Sequence, residues 1–220
     1  MSVDLPRAYK LGEQEFFGRK FEVTQDVLIP RPETEAAVEM ALGLMGVCYL
    51  SGVRPTKAGL RRNARILDVG TGSGVIGITL KLENPEAEVE LCDISRKALA
   101  VAKKNAKNLG AEVRVFESDL MDNCGEYDLV VANLPYVDKN WEWLGAPESD
   151  GLKYEPEIAL YAGDGGLELI FKLIRQAKEK TKYLILEADP CQHERLIKYA
   201  EDFGFLLYKI SGFVVGFRLK

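Results

Sequence analysis

From residue 65 to the end of the chain, short apolar runs alternate with stretches in which apolar residues recur every three or four positions. Arg65-Ile66-Leu67-Asp68-Val69 is the first run and ends in Gly70, and helical spacing follows from Ser73 to Glu83. Val89 to Asp93 reads as the next strand, and Ser95 as the N-cap of a helix that runs to Leu109 and stops at Gly110. Strands are predicted over Glu112 to Glu117 and Tyr127 to Ala132, and a long loop follows. A helix over about Gly166 to Lys180 leads to a strand from Lys182 to Glu187, and Pro190 opens another helix ending near Gly204. Two last strands, at about 205–210 and 213–219, flank a Ser211-Gly212 turn and read as a hairpin. Strands joined by helices make a parallel sheet covered on both faces, with an antiparallel addition at its end.

The first 62 residues are patterned differently. Phe16 to Val23 reads as two short strands turning at Gly18-Arg19, and Asp26 to Pro32 as a loop. Glu33 to about Leu50 has helical periodicity, with Pro32 near its first turn. Ser51 to Asn63 carries Gly52, Pro55, Gly59 and four basic residues, a linker too short to separate two domains. Residues 1–220 are therefore expected to form one unit, with 1–62 leading into a Rossmann-like core over 63–220.

Composition narrows the chemistry. With 47% hydrophobic residues in 220, the chain can bury a substantial core. A net charge of −5 argues against an electrostatic grip on long nucleic acid. Cys48, Cys92, Cys124 and Cys191 form no C-x-x-C pair, so neither a disulfide framework nor a metal site is signalled. His193, the single histidine, lies in a Glu/Arg-rich helical stretch and is expected at the surface. No basic stretch followed by an apolar run opens the chain and no window approaches a membrane span, so a cytoplasmic protein is expected.

Asp68-Val69-Gly70-Thr71-Gly72-Ser73-Gly74 joins the first strand to a helix. Its alternate glycines let the backbone turn tightly and approach a ligand. The spacing is G-x-G-x-G, not the G-x-G-x-x-G of nicotinamide enzymes, and an acidic residue stands two positions ahead. S-adenosylmethionine lacks phosphate and carries an ammonium and a sulfonium, which suits a carboxylate beside the loop. Asp93, closing the second strand, can accept from both ribose hydroxyls, and Asp119, after the third, from the adenine amino group. Any one of these could be an ordinary turn residue; three after successive strands favour the cofactor.

Asn133-Leu134-Pro135-Tyr136 opens from the strand ending at Ala132, at the sheet edge where such folds bind ligands. The Asn133 oxygen can accept from a target N–H, Pro135 stiffens the loop, and Tyr136 offers either a ring face to a planar target or a core contact.

With these pieces placed, the chain resembles the HemK/PrmC family of protein-glutamine N5-methyltransferases. Pro6 to Gly12 and Phe16-Phe17-Gly18 resemble its opening segment, and Pro30-Arg31-Pro32-Glu33-Thr34-Glu35 matches its most specific signature. Tyr154-Glu155-Pro156 and Gly163-Asp164-Gly165-Gly166 resemble the loop after its catalytic motif. The resemblance implies the seven-stranded class I S-adenosylmethionine-dependent methyltransferase fold, mostly parallel with an antiparallel C-terminal hairpin and preceded by a short N-terminal hairpin. It implies S-adenosylmethionine as cofactor, held by Asp68, Gly70, Thr71, Gly72, Gly74, Asp93, Ile94, Asp119, Leu120 and Asn133, with Arg31 and Thr34 at the same site. It implies Asn133, Leu134, Pro135 and Tyr136 as the catalytic loop, with Asn133 Oδ1 and the Leu134 carbonyl each accepting one amide hydrogen, and a peptide-chain release factor as substrate.

The sequence departs from the family at three points. Leu134 stands where the family usually has proline; the family's N-terminal helical docking domain and its usual C-terminal ending are not found in these 220 residues. Asn-Leu-Pro-Tyr also occurs in ribosomal-RNA adenine dimethyltransferases, so N6-adenine methylation is the alternative reading. A cofactor-binding subunit that needs a partner is a third. Trp141 and Trp143 read equally as a docking surface or as anchors of the long loop.

Overall fold

The computed structural model describes residues 5–47, 59–122, 124–141 and 151–220. The central sheet contains β3 (Arg65–Val69), β4 (Glu88–Asp93), β5 (Arg114–Glu117), β6 (Tyr127–Ala132), β7 (Thr181–Glu187), β8 (Phe205–Ser211) and β9 (Val214–Leu219). Their order is β5-β4-β3-β6-β7-β9-β8. Strands β5 to β7 are parallel, and β9 inserts antiparallel between β7 and β8. This is the seven-stranded class I methyltransferase sheet.

Strand alternation explains why both faces are apolar. In β3 Ile66 faces one core and Leu67 and Val69 the other; in β6 Leu129 and Val131 oppose Val130 and Ala132. The first face is covered by α2 (Glu35–Leu44), α3 (Val75–Glu83) and α4 (Arg96–Leu109), the second by α5 (Glu168–Ala177) and α6 (His193–Asp202). A parallel sheet is stable only with both faces buried, and the near-continuous apolar runs of β3, β6 and β7 meet that demand.

Ser95 Oγ accepts from Ala98 N at 3.2 Å and Gly110 is left-handed at φ 69°, so both predicted ends of α4 form. Other boundaries differ. Helix α2 ends at Leu44, six residues before the predicted end, because Gly46 turns left-handed at φ 69° and Val47 N–H returns to the Leu42 carbonyl at 3.0 Å. Pro32–Thr34 is a separate 3-10 turn, as is Pro190–Gln192 before α6. The second of these carries a capping box between Asp189 and Gln192 that sequence reading missed.

The N-terminal hairpin pairs β1 (Glu13–Phe16) with β2 (Arg19–Glu22), turning at Phe17-Gly18, so β1 starts three residues earlier than predicted. It is preceded by α1 (Arg7–Leu11), which is too short to show a period and was not predicted. Buried Asn105 on α4 fastens this segment. Its Oδ1 accepts from Glu22 N at 2.7 Å, while its Nδ2 donates to the carbonyls of Glu22 at 2.9 Å and Ser73 at 2.8 Å. Most of the 51–63 linker lies outside the described residues, as do Cys48 and Trp143.

One clamp holds the loop after β6 against the start of α5. Gln192 Nε2 donates to the Tyr136 carbonyl at 2.8 Å and to the Gly165 carbonyl at 2.7 Å. The adjoining Gly166 has φ 84°, and a Cβ there would run into the Tyr136 carbonyl oxygen. Gly110 has a similar φ of 69° but open space where its Cβ would be. Gly166→Ala is expected to cost about 2–3 kcal/mol of stability and Gly110→Ala about 1 kcal/mol, left-handed strain alone. Denaturant titration of both variants checks this; equal losses would contradict a contact at Gly166.

Candidate active site

Strand order reverses at β3: the chain steps outward through β4 and β5, then returns to β3's other side as β6. Such a switch point leaves a crevice at the carboxyl ends of the two diverging strands. Here it is a cavity of about 220 Å³. Gly70, Thr71 and Gly72 line it from the loop after β3, and Asn133, Leu134 and Pro135 from the loop after β6. Asp93 and Ile94 come from the end of β4, Asp119 and Leu120 follow β5, and Arg31 and Thr34 cover it from the N-terminal segment. Ile158, with 61% of its surface exposed, stands at the rim.

The three carboxylates predicted for the cofactor are not equivalent. Asp93 Oδ2 accepts from Gly72 N at 2.9 Å and Oδ1 from Ser95 N at 2.8 Å. A carboxylate has about four acceptor positions, so it retains capacity for a diol in the cavity. Burial pushes its pKa up, opposed by the backbone N–H groups of Ser95, Gly72 and Ile94.

Asp68 is a correction in detail. It does not line the cavity; it lies buried beneath the loop, where Oδ2 accepts from Thr71 Oγ1 at 2.6 Å and Gly77 N at 2.8 Å. Its Oδ1 is buried without a hydrogen-bond partner. Burial raises its carboxyl to about 6 against the pull of those two donors. Asp119 meets Lys172 of α5 at 2.5 Å, a partner the sequence did not reveal. Gly74 also stays outside the cavity, closing the turn into α3 at φ 87°.

Of the catalytic loop, Asn133 Nδ2 donates to Thr34 Oγ1 at 3.0 Å. Leu134 is buried, and its methyl lies 2.7 Å from where a Cβ on Gly70 would stand, so the two loops touch only because residue 70 has no side chain. Tyr136 does not line the cavity. It leans on the second core, with its hydroxyl donating to Glu187 Oε1 at 3.1 Å, which is the core alternative. Arg31 pairs with the buried carboxylate of Glu155, whose Oε2 also accepts from Ile29 N at 3.0 Å. That pairing holds the 26–34 segment over the cavity. Trp141 is half-buried, and His193, half-buried too, stands near the Ala188 carbonyl at 3.2 Å.

Sequence reading missed Glu187, whose side chain is buried at the end of β7 behind Asn133 and Tyr136. Burial raises its pKa, while Thr34, Tyr136 and Asn133 oppose the rise. The same signal that marked Asp93, a carboxylate closing an apolar strand, would have found it. Among the described residues no His/Cys/Asp/Glu group could hold a metal ion, and no helix is long and apolar enough to cross a membrane.

The fit to S-adenosylmethionine rests on these features. Gly72, at φ 55°, has open space where a side chain would stand. Asp93 keeps free acceptor capacity, and Ile94 and Leu120 give an apolar lining suited to a flat base.

The raised carboxyl of Asp68 makes stability depend on pH. An unfolded Asp titrates near 3.9; native Asp68 titrates near 6 and so binds its proton more tightly. The penalty for a buried charge is absent below about pH 4 and complete above about pH 6. Asp68→Asn should therefore gain stability relative to the parent between pH 4 and pH 7, on the order of 2 kcal/mol. Urea titrations at both pH values measure it; a pH-independent difference would refute the assignment.

Residues 55–143 match the Methyltransferase small domain family. The chain is 40% identical over 190 residues to the release factor glutamine methyltransferase of Neisseria gonorrhoeae, covering 83% of this chain and 63% of that one. It is 36% identical over 182 residues to the enzyme of that name from Enterococcus faecalis, covering 82% and 60%. The chain thus spans about three fifths of the length of these relatives. Among solved structures, the hMettl16 catalytic domain superposes with a TM-score of 0.63 at 16% identity, covering 97% of this chain and 89% of that one. The ribosomal protein L11 methylase of Lactobacillus delbrueckii superposes at 0.58 and 20%, covering 94% and 90%. Those structures share the fold; the sequence identities are more specific. Over its methyltransferase part the chain is similar to the release factor glutamine methyltransferases.

Proposed function

We propose that the chain is an S-adenosylmethionine-dependent methyltransferase that methylates N5 of the glutamine in the Gly-Gly-Gln motif of a peptide-chain release factor, in the cytoplasm. The observation that carries the reading is the shared cavity. The glycine loop after β3 and Asn133-Leu134-Pro135 after β6 line one space, with Leu134 packed on Gly70. The 40% identity to a protein named for this reaction supports the choice of glutamine.

When bound, S-adenosylmethionine supplies an electrophilic methyl on a sulfonium. An amide nitrogen is a weak nucleophile because its lone pair is delocalised. The chain's contribution is therefore to place that nitrogen and draw on its hydrogens. Asn133 Oδ1 and the Leu134 carbonyl each accept one N–H, which turns the lone pair toward the methyl. Orientation of this kind can lower a barrier by roughly 7–11 kcal/mol in favourable cases. Arg31, Thr34 and Ile158 line the cavity, where substrate that displaces water would strengthen both hydrogen bonds. Asp93 would hold the ribose diol, and Ile94 and Leu120 would flank the adenine.

Incubation with methyl-labelled S-adenosylmethionine, intact release factor, a Gly-Gly-Gln peptide and adenine-containing RNA tests the reading. Label is expected on glutamine; label on RNA alone would replace it with adenine methylation. Asn133→Ala should lower turnover by about 10²–10³-fold, the loss typical of one preorganised transition-state contact, with cofactor affinity retained. Asp93→Ala should instead weaken cofactor binding by about 1.5–3 kcal/mol, as measured by calorimetry. A folded Asp93→Ala protein with parental affinity would remove Asp93 from the site.

A further inference from the structure

We propose that Thr34 and Glu187 determine which end of the Asn133 carboxamide faces the cavity, and thereby make the site an acceptor of N–H groups. The inference rests on the proposed function for its substrate and on donor–acceptor logic for its geometry.

A carboxamide presents an oxygen at one end and two N–H donors at the other, and a half-turn exchanges them. In one orientation the site accepts from an amide or amino nitrogen; in the other it donates to a carbonyl. Something must choose between them. Asn133 meets Thr34 Oγ1 at 3.0 Å, and Thr34 is 2% exposed. A hydroxyl both donates and accepts, so Thr34 alone would tolerate either end of the amide. Its own proton has to be committed elsewhere.

Glu187 supplies that commitment. Its side chain is 1% exposed and sits at the end of β7, with Thr34, Asn133 and Tyr136 facing it. Oε1 accepts from the Tyr136 hydroxyl, and Oε2 is buried with no partner. An unpartnered buried carboxylate oxygen is costly, and the groups facing it with protons to offer are the Thr34 hydroxyl and the Asn133 amide, whose NH₂ end alone can donate. A carboxylate only accepts. Thr34 therefore donates to Glu187, its oxygen is left to accept, and Asn133 must offer Nδ2 to it. Oδ1 then points into the cavity. The order of donors and acceptors fixes this result independently of how an amide's oxygen and nitrogen are assigned in coordinates. Glu187 does not line the cavity; it acts through Thr34 and is a positioning residue.

Thr34→Val keeps the shape and removes the hydroxyl, and Thr34→Ser keeps the hydroxyl. Thr34→Val is expected to lower kcat for a Gly-Gly-Gln peptide at least tenfold, with KM within threefold and the Kd for S-adenosylhomocysteine within twofold. Thr34→Ser should restore most of that loss. In the protein without substrate, the Asn133 side-chain ¹⁵NH₂ resonances should report one hydrogen held in a hydrogen bond. That signature should be lost in Thr34→Val and weakened in Glu187→Gln, whose amide can serve Thr34 either way. Parental kcat in Thr34→Val, or an unaltered Asn133 signal in Glu187→Gln, would overturn the proposal. A parent protein inert on the peptide would instead defeat the glutamine reading, and the resonance experiment would still decide the relay.

Discussion

The hydrogen-bonded register between β3 and β6 underlies everything the site does. Val69 pairs with Ala132, so Gly70 and Asn133 are the next residues out of the sheet on neighbouring strands. A loop built to approach a ligand and a loop built to accept N–H bonds therefore start side by side, at the point where strand order reverses. A slip of one residue would turn every side chain of β6 to the opposite face. Leu129 and Val131 would exchange cores with Val130 and Ala132. The two apolar layers thus protect the register, and the register places the chemistry.

Around that junction the chain uses buried carboxylates as braces. Asp68 joins Thr71 to Gly77, Asp93 joins Gly72 to Ser95, and Glu155 joins Ile29 to Arg31. Each collects donors from a loop that would otherwise leave backbone N–H groups unmet. Buried charge is expensive, and the raised pKa values of Asp68, Asp93 and Glu187 all have burial as their largest cause. Stability is given up locally where the loops must hold one conformation, a common feature of functional sites.

The sheet was readable because its strands are apolar on both faces and its helices carry clear ends, as at Ser95 and Gly110. The glycine loop, Asp93 and the Asn133 tetrapeptide were readable because each lies at a strand's carboxyl end, where ligands bind whatever the substrate. What escaped were contacts between distant segments. Thr34 on Asn133 spans 99 positions and Arg31 on Glu155 spans 124, and no local period records such a meeting. The roles given to Asp68 and Tyr136 faltered for a related reason. Motif position identifies a residue near a site without saying whether it faces the ligand or supports the loop from behind.

The central claim is that the mouth of this cavity presents two acceptors to a planar N–H₂ group. A crystal structure with S-adenosylhomocysteine and a Gly-Gly-Gln peptide examines it directly. The account requires the glutamine side-chain nitrogen within hydrogen-bond distance of both Asn133 Oδ1 and the Leu134 carbonyl, with Asn133 Nδ2 still on Thr34. A glutamine bound with its oxygen toward Asn133, or an Asn133 amide turned to donate into the cavity, would contradict it.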